Sequence, residues 1–260
     1  MTHPARAPLS IPNLTIVIPT RNEAANVKPL LDALNRHVGH LTAVLFVDDS
    51  DDGLTPQVIE TESSNGHYQL DIKLLHRVGA QRDSRLGGAV MDGLRLAMTP
   101  YVCVMDGDLQ HPPQVVAKLL VTALETDADL VVASRYTRGG SNEGLSFMRV
   151  VISRGSTLLA RLFFGRRLLG ITDPMSGFFL VKRSAVGAQM NPTGFKILLE
   201  LAARHPEWRR VEVPFTFAQR HEGESKGDIS EGLRYLRMLP SLWLSLHPIN
   251  RVSWLKRPAR

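Results

Sequence analysis

Among 260 residues there is a single cysteine, Cys103, so no internal disulfide can form, and a reducing compartment fits. Its neighbours Tyr101, Val102, Val104 and Met105 are apolar, which marks it as a small core residue rather than a nucleophile. Long hydrophobic runs are absent as well. No segment reaches the roughly 20 apolar residues of a membrane-spanning helix, and the most apolar late stretch, 238–246, is broken by Pro240 and two serines. Residues 1–10 carry Pro4 and Pro8 and no apolar stretch, so no signal peptide is expected. The turn after the first apolar run lacks the glycines of a dinucleotide fold, and no Walker loop occurs anywhere, which removes the dehydrogenase and phosphate-loop readings. There is no internal repeat and no Pro/Gly/Ser linker, so one continuous domain is expected behind a short N-terminal extension, 1–12.

What is present is a globular composition, 43 % hydrophobic and 22 % charged, with the charge unevenly spread. Residues 1–134 hold 10 basic and 16 acidic side chains, net −6, whereas residues 135–183 hold 9 and 2, net +7. Residues 184–231 are nearly balanced, and residues 232–260 hold 6 basic side chains and no acid. This segregation points to a first half that binds a cation and a basic second half that meets anions, on a substrate or at a membrane surface. No interleaved aromatics or reading motif accompany the basic blocks, so nucleic acid is not an expected partner.

Apolar β-branched runs at 14–18, 43–47, 72–75, 101–105 and 130–133 alternate with helix-period segments at 23–37, 86–98 and 112–125. That rhythm predicts an α/β domain with a mainly parallel sheet flanked by helices on both faces. Beyond it the pattern predicts a helix over 145–164, a strand over 178–181, a helix over 194–204, a strand over 211–217 and a polar loop over 218–228. A parallel sheet binds ligands at the carboxyl ends of its strands, so the residues after each run carry the functional reading.

After the fourth run, Asp106-Gly107-Asp108-Leu109-Gln110 places two carboxylates one residue apart, with a glycine expected to let a bulky ligand approach. Hard divalent cations take such oxygen ligands and complete their shell with water and substrate phosphates; Gln110 could add another oxygen. The plain alternative is that one aspartate caps the helix beginning near Pro112. After the second run, four aspartates lie within residues 48–52, a repulsive cluster that a cation, hydrogen-bond donors of a base or ribose, or exposure would relieve. Turn chemistry accounts for Asp51-Asp52-Gly53, leaving Asp49 as the candidate for hydrogen-bonding a nucleoside.

These motifs, together with Pro19-Thr20-Arg21-Asn22-Glu23, Ser134-Arg135-Tyr136, Asp173-Pro174-Met175-Ser176-Gly177-Phe178 and Glu224-Ser225-Lys226, make residues 13–228 resemble the polyprenyl-phosphate (dolichol-phosphate) mannosyltransferases, inverting glycosyltransferases of the GT-A fold. The resemblance implies a nucleoside pocket at Pro19, Arg21, Glu23 and Asp49, with Arg85 and Gly87 in the adjoining loop. It implies a Mg2+ or Mn2+ and diphosphate site at Asp106, Asp108 and Gln110, and acceptor-phosphate contacts from Arg135, Arg149 and Arg154. Arg220 and Lys226 fall in the loop that closes over the diphosphate and join Asp108 as the expected catalytic residues. Two positions depart from the family pattern and bear on the donor: Arg21 stands where tyrosine is frequent, and Leu54 interrupts an Asp-Gly-Thr turn.

The expected activity is metal-dependent transfer of a hexose, mannose from GDP-mannose, to a polyprenyl monophosphate. The alternatives are UDP-glucose or UDP-N-acetylglucosamine as donor, another acceptor, or a non-catalytic sugar-nucleotide-binding subunit. A lipid monophosphate is already ionised near neutral pH, so no strong general base is required. Lys226 and the cation would neutralise the leaving diphosphate while arginines align the acceptor through forked hydrogen bonds. The tail, 229–260, spaces Leu233, Leu236, Leu239, Leu242, Trp243, Leu246 and Trp254 at largely helical intervals among its basic residues. It is expected to lie on an anionic membrane, with packing on the core as the alternative. A cytoplasmic enzyme, peripheral at the inner face of the membrane, follows from this reading.

Overall fold

Residues 13–38, 42–144, 147–186, 196–218 and 229–247 are described by the computed structural model; Arg220, Lys226 and Trp254 lie outside them. Among the described residues seven strands form one sheet: β1 Leu14–Thr20, β2 Thr42–Asp48, β3 Leu70–His76, β4 Tyr101–Val104, β5 Leu130–Ser134, β6 Phe179–Lys182 and β7 Arg210–Pro214. Their order is β3-β2-β1-β4-β6-β5-β7. All neighbours are parallel except β6, which runs antiparallel to both β4 and β5. Between them come α1 Ala24–His37, α2 Leu54–Ser64, α3 Arg85–Leu96, α4 Gln114–Thr126, α5 Phe147–Phe164, α6 Ile197–Arg204 and α7 Ile229–Leu246.

Alternation along the strands sorts the apolar side chains into two layers. Leu14, Ile16 and Ile18 of β1 join Val44 and Phe46 of β2 beneath α1, α2 and α4. Val17, Leu45 and Val47 point the other way, into a layer closed by α3, α5, α6 and α7. Both faces of the central strands are covered, which is why these runs read as continuously apolar. The chain moves outward from β1 to β3 and then returns across the sheet to β4, so β1 and β4 are hydrogen-bonded neighbours with their connections leaving in opposite directions. That switch opens a crevice at their carboxyl ends.

Three expectations are corrected. No helix was read at Leu54–Ser64, because only Thr55, Pro56 and Ile59 are buried there and no apolar stripe marks the segment. The strand expected over 211–217 stops at Pro214, because its partner β5 ends at Ser134; the Phe215 amide makes a last bond to the Ser134 carbonyl (3.2 Å), and Thr216 makes only an isolated bridge with Ser141. Most consequentially, α7, the first part of the tail, packs on the core, which was the alternative to lying on a membrane. Tyr235, Met238, Leu239 and Leu242 are at most 5 % exposed within the core, and Tyr235 Oη donates to the Ser156 carbonyl on α5 (2.6 Å).

Candidate active site

The loop after β4 folds back on itself. Leu109 adopts φ +64°, the Gln110 amide donates to Asp108 Oδ1 (3.1 Å), and the Asp106 amide donates to His111 Nδ1 (2.9 Å). α4 begins at Gln114 with no side-chain cap, so neither aspartate serves it and the capping alternative fails. Asp108 is buried, while the Asp106 carboxylate is 44 % exposed. Gly107 has a different purpose from the one expected. A Cβ there would meet Thr20 Cγ2 at 3.1 Å and Ile18 Cγ2 at 3.4 Å, so its bareness lets the loop pack on β1 rather than admit a ligand.

His111 is the residue the sequence reading passed over. It is buried, stacked on Phe178 and edged by Phe215 and Phe217, and burial pushes its pKa down to about 4. With Nδ1 accepting, the neutral ring carries its proton on Nε2, 3.7 Å from Asp106 Oδ2. The ring therefore joins the two ends of the acidic loop.

The acidic run after β2 is neutralised from within the protein. Asp48 accepts from Thr20 Oγ1 (2.9 Å) and Ser50 Oγ (2.6 Å) and meets His76 Nδ1 at 2.9 Å. Asp49 is gripped by Arg77, and Asp51 lies between Arg21 (2.9 Å) and Arg82 (2.5 Å). The Arg21 hydrogen bond holds Asp51 below the usual carboxylate range. Asp52 Oδ1 accepts the Leu54 amide in the expected turn, with Gly53 at φ +69°. These aspartates thus require no cation. Pro19 lines the cavity described below; Glu23 accepts from Asn26 Nδ2 (2.6 Å) at the start of α1. Arg85 has an exposed side chain and φ +50°, and Gly87 is buried behind it.

Across the crevice, Arg135 is buried against Asp173: Nε donates to Oδ2 (2.7 Å) and Nη2 to Oδ1 (2.8 Å). The forked contact expected between Arg135 and an acceptor phosphate is therefore already made inside the protein. Only Nη1 has no hydrogen bond to a described residue. Arg149 and Arg154 stand on α5 and pair with no acid among the described residues; Arg149 lies one turn before Ser153, whose hydroxyl accepts from Tyr136 Oη (2.9 Å). Asp106, His111, Arg135, Ser176 and Lys196 share one cavity of about 190 Å3.

The model of the Glycosyl transferase family 2 matches residues 15–188. The chain belongs to this family, among its dolichol-phosphate mannosyltransferases. This glycosyltransferase is 34 % identical to the dolichol-phosphate mannosyltransferase of Saccharomyces cerevisiae, covering 88 % of this chain and 86 % of that one. It is also 34 % identical to the Pyrococcus furiosus dolichol-phosphate mannosyltransferase, over 92 % of this chain and only 66 % of that longer protein. Among solved structures, glucosyl-3-phosphoglycerate synthase from Mycobacterium tuberculosis, in complex with Mn2+, UDP and glucosyl-3-phosphoglycerate, superposes with a TM-score of 0.64 at 18 % identity, covering 90 % of this chain and 79 % of that one. Mannosyl-3-phosphoglycerate synthase from Rubrobacter xylanophilus gives 0.65 at 17 %, covering 94 % and 78 %. Both share the GT-A fold with this glycosyltransferase.

A divalent cation fits the loop after β4. Two carboxylates that cap no helix, beside a glutamine amide, are oxygen donors suited to Mg2+ or Mn2+. No group of three or more His, Cys, Asp or Glu capable of holding a metal exists among the described residues. An ion here would therefore depend on Gln110, water and ligand phosphates for its remaining contacts.

Proposed function

We propose that this glycosyltransferase moves mannose from GDP-mannose to a polyprenyl monophosphate, with Asp106, Asp108 and Gln110 holding a Mg2+ or Mn2+ ion. The observation that carries the reading is the placement of Asp106 with the basic side chains Arg135 and Lys196 around one cavity at the sheet's switch point, Asp108 lying two residues further along the same loop. When bound, the cation would lower the charge on the departing nucleoside diphosphate. On the sugar's far side, Arg135 Nη1 and Arg149 would orient the acceptor phosphate, whose own charge makes it the nucleophile. His111, neutral with its proton on Nε2, lines the cavity beside the Asp106 carboxylate and holds the loop by accepting the Asp106 amide at Nδ1. Arg220 and Lys226 would cover the leaving group.

The acceptor's lipid nature is supported by α5 itself. Met148, Val151, Ile152, Leu158 and Leu162 are 48–74 % exposed along one helix. Residues 147–172 contain five arginines and no acid. An apolar stripe flanked by arginines suits the headgroup region of an anionic membrane, and it adjoins Arg149. No helix among the described residues is long and apolar enough to cross a membrane. Membrane contact is thus assigned first to α5, with the outward side of α7 (Leu233, Leu236, Leu244) beside it.

The deciding assay incubates purified protein with labelled GDP-mannose, UDP-glucose or UDP-N-acetylglucosamine, short polyprenyl phosphates and Mn2+ or Mg2+. Transfer of mannose into organic-extractable product is expected. Transfer from a different donor alone would replace the donor assignment, and none from any donor, with the fold intact, would favour a binding subunit.

A further inference from the structure

Arg77 follows β3 directly, and the β2–β3 register, Asp48 opposite His76, sets it beside Asp49 at the crevice edge. Its side chain is 1 % exposed, yet every guanidinium donor is used. Nε donates to Asp49 Oδ1 (2.7 Å) and Nη2 to Asp49 Oδ2 (2.5 Å). Nη2 also donates to the Arg85 carbonyl (2.8 Å), and Nη1 donates to Ser84 Oγ (3.0 Å) and Asp92 Oδ2 (3.2 Å). A guanidinium has five N–H groups. None is left for a ligand.

We infer that Arg77 is the positioning residue of the donor pocket: it holds the Asp49 carboxylate and the Arg85 loop as one unit, so that Asp49 presents its remaining lone pairs to the hydrogen-bond donors of a nucleoside. The inference rests on the assignment of Asp49 to the nucleoside. Three observations support it. First, the fork occupies the two facing lone pairs of the carboxylate and fixes its plane, while the Asp49 side chain keeps 12 % of its surface open. Second, Arg85 sits at φ +50°, ψ −150°, a strained conformation for a residue with a Cβ. The hydrogen bond from Arg77 to its carbonyl holds it there. Third, the loop is built closely around this guanidinium: a Cβ on Gly88 would come within 2.9 Å of Arg77 Nη1 and 1.7 Å of Ser84 Oγ. The same Cβ would lie 2.3 Å from Ser84 Cβ, which no rotamer change of Ser84 relieves.

The test measures GDP and UDP binding to the full chain by calorimetry with Mn2+, and the donor and acceptor KM values, for Arg77→Lys, Asp49→Asn and the double variant. Arg77→Lys keeps the charge and loses the fork. We expect nucleotide affinity to fall about tenfold or more, as for one hydrogen bond to a charged group, with acceptor KM unchanged. In the double variant Arg77→Lys should add little to Asp49→Asn, because it acts through that carboxylate. Additive losses, or a lowered melting temperature with unchanged nucleotide affinity, would overturn the inference. Should Asp49→Asn alone leave nucleotide affinity intact, the donor-site assignment fails, and the positioning role with it. Should Arg77→Lys not fold, Ser84→Ala removes one acceptor of the same guanidinium without adding bulk and is expected to weaken nucleotide binding severalfold; unaltered binding there would equally overturn the inference.

Discussion

Replacing Asp173 with asparagine tests the buried pair that fixes Arg135. Asp173 is fully buried and accepts from the Arg135 amide (3.2 Å), Nε (2.7 Å) and Nη2 (2.8 Å). An asparagine keeps the shape but turns one acceptor into a donor facing a guanidinium that can only donate. Breaking a buried pair on one side costs about 3–5 kcal/mol, since the other charge stays behind without a partner. In a domain of this size each kcal/mol moves the melting temperature by about 2–4 °C, so a fall of about 10 °C is expected. Thermal unfolding followed by circular dichroism reads it directly. Replacing both residues, Arg135→Met with Asp173→Leu, should cost less than Asp173→Asn alone, because no stranded charge remains. A melting temperature within measurement error of the unaltered protein for Asp173→Asn would refute the described pairing.

Four further outcomes follow from the same structure. Chelation should stop turnover, and Asp108→Ala should remove nearly all of it while circular dichroism stays native; a variant with unaltered rates would end the metal assignment. Arg149→Ala should raise the KM for lipid phosphate more than that for sugar nucleotide, and Lys226→Ala should lower kcat; the reverse pattern in steady-state kinetics would interchange the two basic groups. Deleting 232–260 removes the buried Tyr235, Met238, Leu239 and Leu242, worth together about 6–10 kcal/mol. The product should fail to fold, whereas a chain ending at residue 247 should fold and still float with anionic liposomes through α5, less so at high salt. His111 titrates at about 4 in the folded chain against about 6.5 for an ordinary histidine, so the unfolded chain binds the proton first as pH falls. Urea unfolding should therefore show stability declining from about pH 6.5 to pH 4 by about 3 kcal/mol. His111→Phe should flatten that limb.

Local patterns were sufficient for much of this glycosyltransferase. Near-continuous apolar runs at 14–18 and 43–47 determined buried strands, and the intervening helical periods determined a parallel sheet, because each property depends on neighbours within a few residues. The polar residues after β1, β2 and β4 then had to gather at one edge, since parallel strands end on the same side. Tertiary structure alone decided how those side chains pair. Asp49 meets Arg77 only through the β2–β3 register, and Asp173 reaches Arg135 from the segment leading into β6, 38 positions along the chain. The same holds for α7: its apolar spacing suits a membrane as well as a core, and the packing of Leu239 and Leu242 against the sheet's helical layer settled which side was buried. Sequence periodicity defines the greasy face of a helix; what that face touches is set by elements far away in the chain, brought near only when the sheet has closed.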